Sequence, residues 1–304
     1  MLKLIHTKNL KWVDITNPED SDILYLKENF KFHPLDLEDV VTPSTRIRID
    51  EYDHYHFIIL LFPVLDKNTG DIKPAEVDFF VGKNYLITIH DGSIKTLSNL
   101  VSNVTQYDGP RTQYLTQGSG YLLFSILELL FKRSFPILDQ INKEMEGAGK
   151  NIFSLDNATL ERLSRIKKNI IMYRRIMKMH KYVLSRLTKK SKEYMIFKDY
   201  KACFQNLIEY AENIWDVLSS DKESVESYEE TNQSLAAHRA NDILRILTMF
   251  SVIIFLLTLI INLIMLILDI SKFPGLGWAQ PMVFVSLILM AVSMLLYFKN
   301  MKWF

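Results

Sequence analysis

Asn241, Leu244, Thr248, Ser251, Phe255, Thr258 and Asn262 follow one another at steps of three and four, the rhythm that places side chains on one face of a helix. From 246 to 268 no residue carries a formal charge, and every polar side chain in that stretch lies on this stripe. Leu247 borders it beside Thr248. Amides and hydroxyls in an apolar setting can hydrogen-bond across helices, or they can replace part of an ion's hydration shell. In lipid such groups must face protein or water, because leaving them unsatisfied is costly. One chain with two spans cannot enclose a path. The stripe therefore implies either helices glued around a dry seam or an oligomeric pore. In a pore, Phe255 and Leu244 on the stripe would form apolar constrictions that close by losing water.

Other candidate chemistry is weaker. His54 and His56 would share one face of a strand, a metal site if a third ligand stood nearby and otherwise two histidines at a solvent-facing sheet edge. Gly118-Ser119-Gly120 has neither the further glycines of a nucleotide fingerprint nor the lysine of a phosphate loop. No nucleophile and base can be assembled from spacing, so no enzyme and no cofactor are expected, and no side chain is assigned as a resident metal ligand. Cys203 is the single cysteine, which excludes an internal disulfide and a cysteine-rich zinc site.

The elements that must carry the stripe are long helices. A span needs roughly 20 apolar residues, and two stretches qualify, 246–268 and the equally uncharged 278–298. Arg239 and Arg245 precede the first, Lys299 and Lys302 follow the second, and the linker holds only Asp269 and Lys272. This bias places both termini in the cytoplasm of a multi-pass protein of the cell (inner or plasma) membrane. The opening Met1-Leu2-Lys3-Leu4-Ile5-His6 has no apolar core of signal-peptide length. Neither proline nor glycine occurs from 191 to 268, so one helix of about 75 residues, roughly 110 Å, can run as a stalk into the bilayer. Ahead of the stripe, Ala211, Ile214, Leu218, Asp221, Val225, Tyr228, Asn232 and Leu235 keep the same rhythm, a coiled-coil seam in need of a partner.

Upstream of the stalk the pattern divides into an α/β part and a helical part. Segments 10–15, 57–65, 77–81 and 85–89 are rich in β-branched and aromatic residues, with helix starts at Pro18-Glu19-Asp20 and Pro34-Leu35-Asp36, which predicts an α/β domain with a mixed sheet over 1–110. Residues 111–240 read as long helices and stalk, broken at Gly147-Ala148-Gly149 and at 154–157, and 241–304 as the transmembrane region. The fold class is α+β. Twelve basic and no acidic residues lie in 162–192, whereas 212–230 is acidic with Lys222 as its only base. Sparse aromatics argue against nucleic acid as partner, and the two runs read as helices packed with complementary charge.

Several segments then become recognisable. Phe32-His33-Pro34-Leu35-Asp36-Leu37-Glu38-Asp39-Val40, Arg46-Ile47-Arg48-Ile49-Asp50-Glu51-Tyr52 and the run from Phe79 to His90 resemble consecutive segments of the CorA family of divalent-cation channels. The run from His238 to Thr248 is similar to the family's "NRTNEVMKVLT", and Tyr297-Phe298-Lys299-Asn300-Met301-Lys302-Trp303 to its "YFKKKKW". The resemblance implies a funnel-shaped homopentamer in the lipid bilayer, with the long helix lining the pore, the second span as an outer ring and divalent cations, Mg2+ or a related ion, as the transported ligand. Its pore-lining places fall on Asn241, Leu244, Leu247, Phe255, Thr258 and Asn262. The family's Gly-Met-Asn signature at the outer mouth is replaced by Met265-Leu266-Ile267, with the helix expected to continue to Asp269 and the turn to fall at Pro274-Gly275-Leu276-Gly277. An apolar helical mouth lacks the oxygen acceptors that a hydrated Mg2+ needs.

Overall fold

The computed structural model describes residues 1–42, 46–150, 152–153, 157–188, 197, 199–270 and short helical pieces between 281 and 293. The expected turn at Pro274 to Gly277 and the segment from Tyr297 to Trp303 lie outside the described residues, as does most of the expected second span, 278–298. Two compact units result, Met1–Asn232 and Gln233–Phe304.

The first unit is built on a six-stranded sheet. Strands β1 (Leu2–His6), β2 (Lys11–Thr16), β3 (Arg48–Glu51), β4 (Tyr55–Leu65), β5 (Ile72–Gly82) and β6 (Tyr85–His90) lie in the order β1-β2-β6-β5-β4-β3. All neighbours are antiparallel except β2 and β6, so the sheet is mixed, as the sequence predicts. The short β1 and β3 are the additions. Each sits at an edge, where few apolar positions need burying and the alternation that signals a strand is faint. β4 is buried from Tyr55 to Pro63, since both faces of this inner strand are covered and its sequence is accordingly a continuous apolar run.

Two helices, α1 (Asp20–Asn29) and α2 (Pro34–Val41), cover one face over a core that includes Val13, Phe57, Phe80 and Ile87. Pro34 opens α2, where its missing N–H costs nothing, and the His33 side chain accepts from the Leu35 N–H at 3.3 Å. The other face is closed by α3 (Lys95–Gln106), α4 (Asp108–Leu115), α5 (Ser119–Lys150), α6 (Asn157–Met177), α7 (His180–Thr188) and the start of α8 (Lys201–Ile270), which share one core with Trp12, Ile58 and Phe79. Under that face Thr88 donates to Asp14 at 2.6 Å and receives the Trp12 indole N–H at 3.1 Å. The buried carboxylate of Asp14 is thereby bonded.

Three sequence expectations are corrected. The Gly147-Ala148-Gly149 stretch does not break α5. A Cβ at Gly147 would come within 2.7 Å of the Arg162 guanidinium, and one at Gly149 within 2.8 Å of the Tyr228 hydroxyl, so these glycines permit close approach. The histidine pair is not at a solvent-facing edge: His54 precedes β4 and is exposed, while His56 is buried against Phe197 with ring centroids 5.4 Å apart. Burial pushes the His56 imidazole below its ordinary pKa. Finally, the seam beginning at Ala211 already has its partner inside the chain. Ala211, Ile214, Leu218 and Val225 belong to the core shared with α5 and α6, and Asp221 and Asn232 are also buried.

Candidate functional site

The stripe lies in the lower part of α8, a 70-residue helix that carries it without interruption. About 105 Å follows from the helical rise. Its lower half holds an 18-residue apolar window with none of it buried. Asn241, Leu244, Leu247, Ser251, Phe255, Thr258 and Asn262 are exposed, and Thr248 is half-covered. One position along, Met249, Val252, Leu256, Leu259 and Leu263 form a second line, each of them partly buried. One residue is about 100° of rotation. The helix therefore has one line partly covered, while its other faces, the polar stripe among them, are exposed: Ile253, Ile254, Leu257, Ile260 and Ile261 are open as well. The sequence gives no sign of that second line, because all its members are apolar in an apolar setting.

The hydroxyls on the open face are oriented by the helix itself. Thr248 donates to the Leu244 carbonyl at 2.8 Å, Ser251 to Leu247 at 2.9 Å and Thr258 to Ile254 at 2.9 Å. With each hydrogen committed to the carbonyl four residues back, what each oxygen still offers is lone pairs. A row of acceptors without competing donors suits a cation. The amides of Asn241 and Asn262 mark the two ends of this row and can accept through their oxygens.

At the expected outer mouth, Met265, Leu266, Ile267 and Asp269 are all within α8, which ends at Ile270. Met265 and Leu266 expose apolar side chains; the side chains of Ile267 and Asp269 lie outside the described residues. Helical geometry commits the carbonyls of Met265 and Leu266 to the N–H groups four residues on. This is a different surface from a turn that presents free carbonyls.

A second constellation joins the segments that carry the family resemblance in the first unit. The buried Asp36 on α2 receives the Tyr55 hydroxyl at 2.8 Å and the Tyr52 hydroxyl at 3.1 Å, while Arg48 reaches Asp39 and bonds Asp50 at 2.8 Å. Burial raises the Asp36 pKa against the lowering effect of the tyrosine bonds. Burial and the adjacent Asp36 push Tyr52 up to about 12, and Tyr55 is raised further, again first by burial. Arg48 supplies the cation among these carboxylates, so the cluster ties α2 to β3 and β4. Among the described residues no three His, Cys, Asp or Glu side chains converge as a metal set. Spacing alone missed this cluster, because its members come from a helix, two strands and the turn between those strands.

An α/β unit on a mixed sheet, continued by one long helix into an apolar segment with an open polar face, defines the class of membrane protein to which this architecture belongs. The profile described as CorA-like Mg2+ transporter protein matches residues 7–300, and the chain belongs to that family. It is 24% identical over 294 residues to the cobalt/magnesium transport protein CorA of Thermotoga maritima, covering 96% of this chain and 83% of that one. With the putative metal ion transporter YfjQ of Bacillus subtilis it shares 26% over 304 residues, covering 96% and 89%. The complete structure of the CorA magnesium transporter from Methanocaldococcus jannaschii superposes with a TM-score of 0.71 at 21% identity, covering 98% of this chain and 92% of that one. The full-length CmaX protein gives 0.72 at 13% identity, covering 97% and 89%. The fold is thus CorA-like.

Proposed function

We propose that the chain forms a homopentameric channel or transporter that moves divalent cations, Mg2+ or a related ion such as Zn2+, Co2+ or Ni2+, across the cell membrane. In this reading 246–268 and 278–298 both cross the bilayer and both termini are cytoplasmic, in keeping with the arginines and lysines that flank the spans. The observation that carries it is the confinement of the polar side chains of this apolar segment of α8 to one exposed stripe, whose hydroxyl hydrogens are committed within the helix. Symmetry turns each position of that face into a ring. Rings at Asn262, Thr258, Ser251, Thr248 and Asn241 offer oxygen to a cation, and rings at Phe255, Leu247 and Leu244 form narrow apolar collars that exclude ions when dry. Membership of a transporter family and the transport names of the relatives support the same reading.

A second reading, a non-conducting scaffold with a regulatory role, is favoured by one observation: the Met265-Leu266-Ile267 mouth is helical and apolar. Metal uptake into liposomes containing the purified protein separates the two. Conduction predicts uptake by the parent and a severalfold rise with leaky closure in Phe255→Ser. Leu259→Ser, on the partly buried line, should lower stability without opening a path. Replacing residues 265–267 by Gly-Met-Asn should increase discrimination for Mg2+. If all variants assemble while neither they nor the parent pass any tested cation, the scaffold reading stands.

A further inference from the structure

The basic run of α6 and α7 is mostly consumed by partners. Lys167 pairs with Glu229, Lys168 with Asp71, Lys181 with Glu212 and Arg186 with Glu51, while Arg174 lies over the Trp215 ring at 4.7 Å. Arg175 and Lys178 differ: both are exposed, and neither has an ion-pair partner among the described residues. Together with Arg46 they border a cavity of about 300 Å³ between α6 and the β4–β5 ribbon. Its walls are otherwise apolar, formed chiefly by Leu61, Ile176, Met172 and Met179, and no carboxylate among the described residues lines it. A second cavity of about 350 Å³ meets the first at Met172 and Arg175 and is edged by the exposed Ile171.

An apolar hollow with convergent charge at its rim is the usual form of a small-ligand site, and 300 Å³ lies at the lower end of the range for such sites. The charge here has one sign. Arginine offers a planar fork suited to carboxylate or phosphate oxygens, and lysine adds a point charge on a flexible stem. The two methionines adapt to irregular or aromatic shapes better than branched side chains do. We propose that this groove binds a small amphipathic anion, its carboxylate or phosphate head held by Arg175 and Lys178 and its apolar body laid on Met172, Met179 and Leu61. The site lies wholly in the first unit and stands apart from the transport reading.

The test uses the full chain in nanodiscs of zwitterionic lipid, with calorimetric titration corrected for empty discs. The probes are naphthalene-1-carboxylate and 1-naphthyl phosphate, which share one body and separate the two kinds of head. Inorganic phosphate supplies a head alone, and 1-naphthol a body alone. At least one anionic naphthalene should saturate one site per chain, at least tenfold tighter than phosphate or 1-naphthol. That binding should weaken at least tenfold in the double variant Arg175→Gln, Lys178→Gln, whose unfolding temperature should match the parent because both side chains are exposed. As a measurement free of any variant, raising the salt concentration should weaken binding to the parent, since the attraction is between charges in reach of solvent. Absence of saturable binding, equal affinity in the double variant, salt-independent binding, or 1-naphthol binding as tightly as the anions would each overturn the proposal.

Discussion

The upper stretch of α8, 211–232, and the lower stretch, 241–262, are written in the same three-four rhythm, yet one is closed and the other open. In the upper stretch Ile214, Leu218 and Val225 are fully buried within the chain's own core. Below, Leu244, Phe255 and Asn262 are exposed. The rhythm specifies which side chains share a face; what covers that face depends on whether other elements of the same chain stand beside it. Above, α5 and α6 do. Phe135 meets Tyr210 with centroids 5.8 Å apart, and the amide of Asn142, its nitrogen turned toward α8, lies 2.9 and 3.0 Å from the Asp221 carboxylate oxygens. Below, partial cover among the described residues of the apolar segment is confined to the line through Met249 and Leu256 and to Thr248 beside it.

The contrast is most directly broken by truncation at one position in each stretch. Leu218→Ala removes a fully buried side chain and should cost about 2–5 kcal/mol in denaturant unfolding of the first unit. Phe255→Ala should leave that transition unchanged. Equal losses would mean that the lower face is buried too. Native mass measurement of the full chain should likewise report an oligomer, five by the family resemblance, and a monomer in mild detergent would remove the reason for an open polar face.

A smaller effect is expected at Gly149, where an added Cβ would meet the Tyr228 hydroxyl at 2.8 Å. Gly149→Ala should destabilise by about 1–3 kcal/mol through overpacking. Gly109→Ala, with open space around the new Cβ, should be neutral or stabilising by up to about 1 kcal/mol. If the two behave alike, the approach of α5 to α8 is looser than the contacts indicate.

The smallest effect sharpens the comparison through pH. Burial pushes the Asp221 carboxyl up to about 6, above its ordinary value, so the folded chain binds this proton more tightly than the unfolded one. The sign follows from linkage: the penalty is full above pH 6 and disappears as pH falls toward 4, so stability from this group rises on acidification across that window. The amount is on the order of 1–2 kcal/mol, less than the full shift implies because Asn142 compensates part of the charge. Asp221→Asn should be more stable than the parent at pH 7.5, with this component of the pH dependence abolished. Denaturant midpoints measured at intervals between pH 4 and 8 decide it.

Much of this was legible from residue order. The long helix followed from the absence of proline and glycine, and the central strands from apolar runs such as Phe57 to Leu61. The face that holds Thr248, Ser251 and Thr258 followed from spacing. What was not legible depends on partners distant in sequence. Nothing near Asn169 announces that its side chain accepts from the Ile72 N–H at 2.9 Å and donates to the Gly70 carbonyl at 2.8 Å, fastening the β4–β5 turn to α6. The burial of His56 depended on Phe197, and the use of Gly149 depended on Tyr228. The hydroxyl orientation along the open face is likewise a matter of backbone distance, which composition does not contain.

The common core of Trp12, Phe79, Phe131 and Phe204 has a consequence for how the protein is made. The ribosome releases the sheet first and the helices that close its second face afterwards, at rates of about 5–20 residues per second. Until α5, α6 and the upper part of α8 have emerged, that face of the sheet is a bare apolar plane. The segment that closes it is followed at once, in the same helix, by the unburied apolar stretch from 246 onward. Synthesis that halts between β6 and α8 would therefore leave a sticky, unfinished sheet, and completion of the first unit and emergence of the apolar segment fall within seconds of each other on every new chain.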